Sequence, residues 1–129
     1  GIRSFSKVLI AIRPGRRNKR FIDVADKICR HFGASLTLLN IVSESDSNQK
    51  IKRTEKRSIE LISETKSKSI VKIIKSNNPV KAISEESASY DLLILGTPEK
   101  DNWISVLFGA GEDRFVKKAA CSVLRLTIK

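Results

Sequence analysis

Five short apolar runs recur along the chain, and they constrain its fold more than any other feature. They cover residues 7–12, 36–42, 69–74, 92–95 and 122–128. Runs of this length that are bounded by turn residues are typical of strands covered on both faces. The segments between them place apolar residues at helical spacing instead. Strand and helix therefore alternate, which predicts an α/β fold with an open, doubly wound, parallel sheet of five strands.

The connecting segments predict four helices. The first follows Asn18, which can cap it, and stops at Gly33. Its predicted apolar face consists of Phe21, Val24, Ala25, Ile28, Cys29 and Phe32. A second helix is predicted over 49–68, with a thin apolar stripe made of Ile51, Ile59, Leu61 and Ile62. Shorter helices are predicted from Pro79 to Ser89 and from Gly111 to Ala119.

The chain is strongly basic, with 25 Lys and Arg against 14 Asp and Glu and a formal net charge of +11. Two stretches, residues 1–33 and 49–81, carry this charge, and each has a net charge of +7. A positive surface favours an acidic partner, and this asymmetry suits the anionic headgroups of a membrane. It would also suit RNA, but aromatic residues for base stacking are scarce, so nucleic acid is the less favoured partner.

Reactive side chains are few. The single histidine, His31, falls late in the first helix, and Cys29 and Cys121 fall inside apolar segments without metal-ligand spacing. The sequence therefore predicts a protein that is not an enzyme and holds no metal. Its length predicts a single domain. Because the chain begins with Gly and contains no Met, we expect this domain, residues 1–129, to be excised from a longer protein.

One crevice of the predicted sheet is a candidate binding site. Open parallel sheets bind ligands outside the carboxyl ends of the strands, where the winding reverses. With strand one central, the loops after strands one and four meet there. The first loop contains Arg13, Arg16 and Arg17, and guanidinium groups suit phosphate. Gly96 is predicted to end strand four, because glycine permits a turn and a close approach to the backbone. The simpler interpretation is a basic loop that faces solvent or a membrane.

Three segments resemble the universal stress protein family: residues 7–12, residues 32–42 and the ending Ala-Ala-Cys-Ser-Val-Leu. The resemblance covers essentially the whole chain and implies an adenine-nucleotide-hydrolase-like fold with the strand order 3-2-1-4-5. The nucleotide loop of the family, G-x2-G-x9-G-[S/T], follows strand four, and Gly96 and Gly109 match its first and third glycines. The resemblance implies that the nucleotide or anion is held by the loop residues Gly96, Thr97, Gly109, Ala110 and Gly111. Arg13, Arg16 and Arg17 are further candidates from their charge alone.

The chain departs from this loop and from the family pattern at three positions. Glu99 stands at the second glycine, Ala110 at the hydroxyl residue, and Arg13 where family members usually carry an Asp. A carboxylate within a few ångströms of a triphosphate costs on the order of several kcal/mol, and Ala110 has no hydroxyl to donate. The departures imply no resident cofactor and disfavour ATP. AMP or a cyclic dinucleotide, bound by the arginines, is the remaining candidate ligand.

Domains with similarly degraded nucleotide loops occur at the cytoplasmic ends of amino-acid permeases, cation–proton antiporters and chloride channels. The resemblance therefore implies a non-catalytic regulatory and dimerisation domain, cytoplasmic and at the inner face of the cell membrane, joined to the transmembrane part of a transporter. A free-standing universal stress protein that binds an adenine nucleotide is the first alternative. A basic nucleic-acid-binding module is the second.

The last strand suggests a partner as well. Members of the family dimerise through this strand, so the resemblance implies a two-fold homodimer. An unpaired strand at the edge of a sheet can pair with another copy unless charge prevents it. The apolar residues that form this predicted dimer edge are Val123, Leu124, Leu126 and Ile128.

Overall fold

The structure is a computed structural model that describes residues 6–11, 18–97 and 122–127. Its strands are β1 (Lys7–Ala11), β2 (Ser35–Val42), β3 (Ser69–Lys75), β4 (Leu92–Thr97) and β5 (Ser122–Thr127). The helices in the described ranges are α1 (Asn18–Phe32), α2 (Asn48–Ile62) and α3 (Pro79–Ser87). The helix predicted from Gly111 to Ala119 lies outside the described residues.

β1 lies at the centre of a parallel sheet with the order β3-β2-β1-β4-β5, which confirms the predicted fold class and strand order. Ala11 of β1 lies opposite Leu39 of β2 and Leu95 of β4. Parallel neighbours require crossover connections, and the three described helices supply those between β1 and β4. The residues from Val8 to Ala11 are all buried, as a strand covered on both faces must be.

Helices cover both faces of the sheet. α1 and α2 pack on one face, where Phe21 and Ile22 of α1 join a buried cluster with Ile10. α3 packs on the other face, where Ile83 joins a second cluster with Leu9. Because successive strand residues point to opposite faces, the strands contribute to both clusters in alternation. The core therefore consists of two apolar layers that are separated by the sheet.

α1 agrees with its prediction except at the last residue. Gly33 has a φ of 67°, the left-handed conformation with which glycine ends helices, so the predicted stop is confirmed. Cys29 is buried, as predicted for a core residue. Phe32, predicted on the apolar face, is instead 37% exposed and lies edge-on to His31. Phe32 is the last residue of α1, where the chain turns away toward β2. Ile22, which the predicted apolar face does not include, is fully buried.

α2 differs from its prediction in both its length and its buried face. The side chain of Ser47 caps its N terminus, and the helix ends at Ile62 rather than at residue 68. Ile59, predicted in the apolar stripe, is 53% exposed, whereas Ser58 is buried. The buried side chain of Asn40 in β2 donates a hydrogen bond to Ser58 Oγ at 2.6 Å. This polar pair turns Ser58 rather than Ile59 toward the sheet.

β4 continues two residues beyond its predicted end. Gly96 pairs with Leu126 of β5, and Thr97 pairs with Thr127. The prediction that the strand stops at Leu95 is therefore wrong. The ladder with β5 keeps the backbone extended through the glycine, even though glycine would also permit a turn there.

The early end of α2 has its cause in α1. Asp26 is 6% exposed, and its carboxylate accepts hydrogen bonds from the backbone N–H groups of Lys66 and Ser67, at 3.1 and 2.9 Å. It also accepts a hydrogen bond from the Ser67 hydroxyl and lies 3.6 Å from Arg30. These contacts take N–H groups that a longer helix would need, so α2 cannot continue through residue 68.

The same contacts decide the protonation of Asp26. Burial alone would raise the pKa of this carboxyl group. The hydrogen bonds from Ser67 and Lys66, with the Arg30 guanidinium nearby, outweigh burial and hold the pKa of Asp26 below its ordinary value. A lowered pKa in the folded state stabilises the fold above the ordinary pKa. That contribution is lost as the pH falls through the folded pKa.

We expect Asp26→Asn to lower the free energy of unfolding by about 2 kcal/mol. The asparagine amide has one acceptor oxygen in place of two, so its NH2 group would face a backbone N–H group that now donates to the carboxylate. Urea unfolding at pH 7 measures the change. Asp23→Asn is the control, since Asp23 lies on the same helix, is 55% exposed and pairs, among the described residues, with Lys19 alone at 3.6 Å. Its effect should stay below about 0.5 kcal/mol. The difference between wild type and Asp26→Asn should shrink as the pH falls below about 4, where Asp26 first takes up its proton in the unfolded chain. A difference that stays constant at pH 2.5 would contradict this role of Asp26.

Candidate functional site

The carboxyl ends of β1 and β4 lie side by side at the centre of the sheet. From β1 the sheet extends through β2 and β3 to one edge, and β4 and β5 form the other side. The winding therefore reverses between β1 and β4, which is where open parallel sheets bind their ligands. The strand order thus puts the reversal at the position that the sequence predicts.

A candidate binding position lies at the carboxyl end of the described part of β1, between its two neighbours. Ala11, the last described residue of β1, lies opposite Leu39 and Leu95, while β2 continues to Val42 and β4 to Thr97. At about 3.3 Å per residue, β2 extends about 10 Å and β4 about 7 Å farther. We call this feature the notch: Ala11 is its base, and residues 40–42 and 96–97 are its two walls. Ala11 and Leu95 are buried, so the base rests on the apolar core.

Two of the predicted site residues, Gly96 and Thr97, form one wall of the notch as the last residues of β4. The segment that contains the predicted arginines follows Ala11 in the sequence. Of the predicted dimer edge, Val123, Leu124 and Leu126 lie in β5. The remaining predicted residues lie outside the described residues: Arg13, Arg16, Arg17, Glu99, Gly109, Ala110, Gly111 and Ile128.

The other wall of the notch contains a buried polar residue, Asn40, that sequence reasoning missed. Asn40 is 7% exposed and donates its amide N–H to Ser58 Oγ. The Ser58 hydroxyl in turn donates to the Thr54 carbonyl at 2.9 Å. This chain of hydrogen bonds ties the wall to α2. The signal was available, because an asparagine inside an apolar strand requires a buried partner.

The loops that follow β2 and β3 brace the same wall. Asn77 Oδ1 accepts hydrogen bonds from the Ser43 hydroxyl at 3.0 Å and from the Glu44 backbone N–H at 3.1 Å. Asn77 Nδ2 donates to the Glu44 carboxylate at 3.1 Å. Asp46 accepts a further hydrogen bond from the Ser43 N–H at 3.1 Å. One asparagine side chain therefore joins the two loops and fixes the edge of the sheet beside the notch.

The reactive side chains of the described residues lie away from the notch. Cys29 Sγ is 3.9 Å from the Ser35 carbonyl, at the amino end of β2, and His31 lies in the last turn of α1. Burial, and then the nearby Asp26 carboxylate, raise the pKa of Cys29 to about 11, so the thiol stays protonated at neutral pH. Within residues 6–11, 18–97 and 122–127, no three His, Cys, Asp or Glu side chains are grouped to hold a metal ion.

At the amino edge of the sheet, a second carboxylate, that of Asp91, joins two strands. Asp91 Oδ2 accepts hydrogen bonds from the backbone N–H groups of Lys7 and Ser6, at 2.9 and 2.8 Å. These bonds lower the pKa of Asp91. Asp91 therefore joins the start of β4 to the start of β1 and fixes how the two strands lie side by side.

A doubly wound α/β sheet with a notch at the reversal of the winding defines a class of ligand-binding domains. The model of the Universal stress protein family matches residues 4–126. The chain therefore belongs to the universal stress protein family. Comparison with curated proteins gave no match.

Several solved structures share this fold. The universal stress protein UspA from Lactobacillus plantarum is 16% identical, with a TM-score of 0.72 over 97% of this chain and 99% of that chain. The universal stress protein from Archaeoglobus fulgidus in complex with dAMP is 14% identical, with a TM-score of 0.68 over 93% and 96%. A family protein from Arabidopsis thaliana with AMP bound is 18% identical, with a TM-score of 0.62 over 96% and 92%. In the part of the chain that the structure describes, no helix has the length and hydropathy needed to cross a membrane.

We expect Asn77→Asp to destabilise the fold by about 1 kcal/mol, because it replaces the donor to Glu44 with a second carboxylate. Asn78→Asp is a matched control at the next position. The side chain of Asn78 accepts a hydrogen bond from Lys81 N at the start of α3, so an aspartate there keeps the cap and should be neutral or stabilising. Thermal unfolding of both variants measures the difference. Equal losses of stability would show that Asn77 does not brace the two loops.

Proposed function

We propose that this chain is a non-catalytic regulatory domain that binds an adenine nucleotide with a single phosphate at the notch. The observation that carries the proposal is the reversal of the winding between β1 and β4, where Gly96 lies in one wall of the notch and the arginine-containing segment follows Ala11 in the sequence. Structures of the same fold hold dAMP and AMP. The fold can therefore bind this class of ligand, and the residues around the notch decide how many phosphates it accepts.

The residues of the two loops favour one phosphate over three. A triphosphate would bring several negative charges close to Glu99, and Ala110 offers no hydroxyl to a phosphate oxygen. Arg13, Arg16 and Arg17 can together neutralise a single phosphate through bidentate hydrogen bonds. A monophosphate therefore suits this site better than ATP. A cyclic dinucleotide is the other candidate, because each of its two phosphodiester groups carries one negative charge and either can meet the arginines.

We also propose that the domain acts at the inner face of the cell membrane, as the cytoplasmic regulatory part of a transporter. The net charge of +7 in residues 49–81 supports this placement, because it suits an anionic membrane surface. A free-standing universal stress protein that binds the same nucleotide is the alternative. The gene upstream of residue 1 separates the two, since long apolar segments there support the transporter.

A thermal-shift panel with AMP, ADP, ATP and cyclic dinucleotides, with and without magnesium, tests the nucleotide site. A ligand at a hundred times its dissociation constant adds about 2.7 kcal/mol to the free energy of unfolding. We expect a clear upward shift with AMP or a cyclic dinucleotide and a smaller one with ATP. Nucleotide recovered unchanged after incubation is the expected sign of a non-catalytic domain. A shift with ATP that equals or exceeds the shift with AMP would overturn the single-phosphate proposal.

Two sets of variants locate the site. Arg13→Ala should remove the nucleotide shift, whereas Arg20→Ala, which removes an exposed arginine from α1, should leave it unchanged. Glu99→Gly combined with Ala110→Ser restores two positions of the family's nucleotide loop and should raise the affinity for ATP. If both arginine variants bind as the wild type does, the ligand lies elsewhere.

We propose, in addition, a homodimer through β5. β5 is an edge strand, paired to β4 on one side, and Arg125 is the one charged residue in Ser122–Thr127. Light scattering should give twice the 14.4 kDa mass of one chain. Leu126→Lys should shift the protein toward the monomer, because a charge guards the edge. Ile70→Lys is the control on the opposite edge strand, where Ile70 is 57% exposed. Loss of the dimer in Ile70→Lys alone would assign the interface to β3.

A further inference from the structure

The layer formed by α1 and α2 presents positive charge that nothing in the described residues neutralises. We call this surface the basic layer; its exposed cations are Arg20, Lys27, Lys52, Arg53, Lys56 and Arg57. Among the described residues, none of these six side chains lies within ion-pair distance of a carboxylate. Glu55 and Glu60 are exposed on the same layer, so the basic layer keeps an excess of positive charge.

On the opposite side of the sheet two cations have partners. Lys72 on β3 lies 2.6 Å from Glu86, and Lys81 on α3 lies 4.0 Å from Glu85. The hydrogen bond to Glu86 raises the pKa of Lys72. These two paired lysines contrast with the four cations of α2 in the basic layer, which are unpaired within the described part of the chain.

An apolar side chain lies among these cations. Lys52, Lys56 and Ile59 are separated by four and three residues, so they share one stripe of α2. The packing of α2 turns this stripe outward, because Ser58 faces the sheet and Ile59 is left 53% exposed. Cations around an exposed apolar side chain are characteristic of helices that lie in a membrane interface.

We propose that the basic layer binds the anionic headgroups of a phospholipid bilayer, with Ile59 entering the boundary between the headgroups and the acyl chains. α2 is 15 residues long, which corresponds to about 22 Å at 1.5 Å per residue. With α1 beside it at about 10 Å, the basic layer covers several lipid headgroups. Single-stranded RNA would favour aromatic platforms, and α2 contributes no aromatic residue to this surface. The inference deepens the proposed placement at the membrane and does not depend on the nucleotide site.

Co-sedimentation with vesicles tests the proposal. Vesicles of phosphatidylcholine with 30% phosphatidylserine should bind the protein at low salt, and pure phosphatidylcholine vesicles should not. Each Lys or Arg near an anionic surface contributes about 1 kcal/mol, which is about fivefold in partitioning. Lys52→Gln with Lys56→Gln should therefore weaken binding about 25-fold. Ile59→Ser should weaken binding to vesicles several-fold and leave any binding to a single-stranded RNA oligonucleotide unchanged.

The matched control removes the same charge from the other side of the sheet. Lys72→Gln with Lys81→Gln should bind vesicles as the wild type does, because the basic layer is intact. Equal losses in the two double variants would overturn the proposal, since they would show a response to net charge alone. Absence of vesicle binding at 50 mM salt would overturn it as well. Binding to RNA that exceeds binding to vesicles would assign the surface to nucleic acid.

The nucleotide panel separates this inference from the proposed ligand. The Lys52→Gln and Lys56→Gln variant should keep the full thermal shift with AMP, because the contact of α2 with the notch is made by Ser58, on the inner face of the helix. Melting temperatures without ligand show that each variant is folded. If the protein binds vesicles but no nucleotide, the membrane proposal for the basic layer stands and the nucleotide proposal fails. If it binds nucleotide but no vesicles, the nucleotide proposal stands and the membrane proposal fails.

Discussion

The whole arrangement depends on the hydrogen-bonded position of β1 between two parallel neighbours. β1 pairs with β2 on one side and with β4 on the other, and its residues from Val8 to Ala11 are buried between two helical layers. A strand in this position has no exposed edge and no polar face. Such a strand is apolar on both faces. At its carboxyl end β2 and β4 continue past Ala11, and the notch lies there.

Carboxylate and amide side chains fix the loops around this centre. Asp91 holds the N–H groups of Ser6 and Lys7 at the amino edge, and Asp26 holds those of Lys66 and Ser67 below α2. At the carboxyl edge, Asn77 joins the loops after β2 and β3. Each of these side chains satisfies backbone groups that the strands and helices leave unpaired. The apolar layers give the fold its stability, whereas these polar contacts set where each element ends.

The apolar runs were sufficient to predict the strands, the alternation of elements and the place where the winding reverses. The two failures in α2 have a common physical origin in polar pairing, which periodicity does not record. Ile59 was the obvious inward residue of α2 by hydropathy, yet the hydrogen bond between Asn40 and Ser58 turned the helix the other way. The predicted helix ran to residue 68 because nothing local stops it, whereas the Asp26 carboxylate, far away in sequence, does. Of the candidate site, the sequence placed Gly96 and Thr97 at the reversal, and the predicted arginines lie in a loop outside the described residues.

The hydrogen bond that links Asn40 to α2 also has a direction. Ser58 donates its only proton to the Thr54 carbonyl, so toward Asn40 its oxygen can only accept. The orientation of the Asn40 amide is thereby settled, with Nδ2 toward the helix and Oδ1 turned away from it. A change at either position alone would strand a buried polar atom. Positions 40 and 58 should therefore be inherited as a pair, both polar or both apolar, and a relative that has lost one should have lost the other.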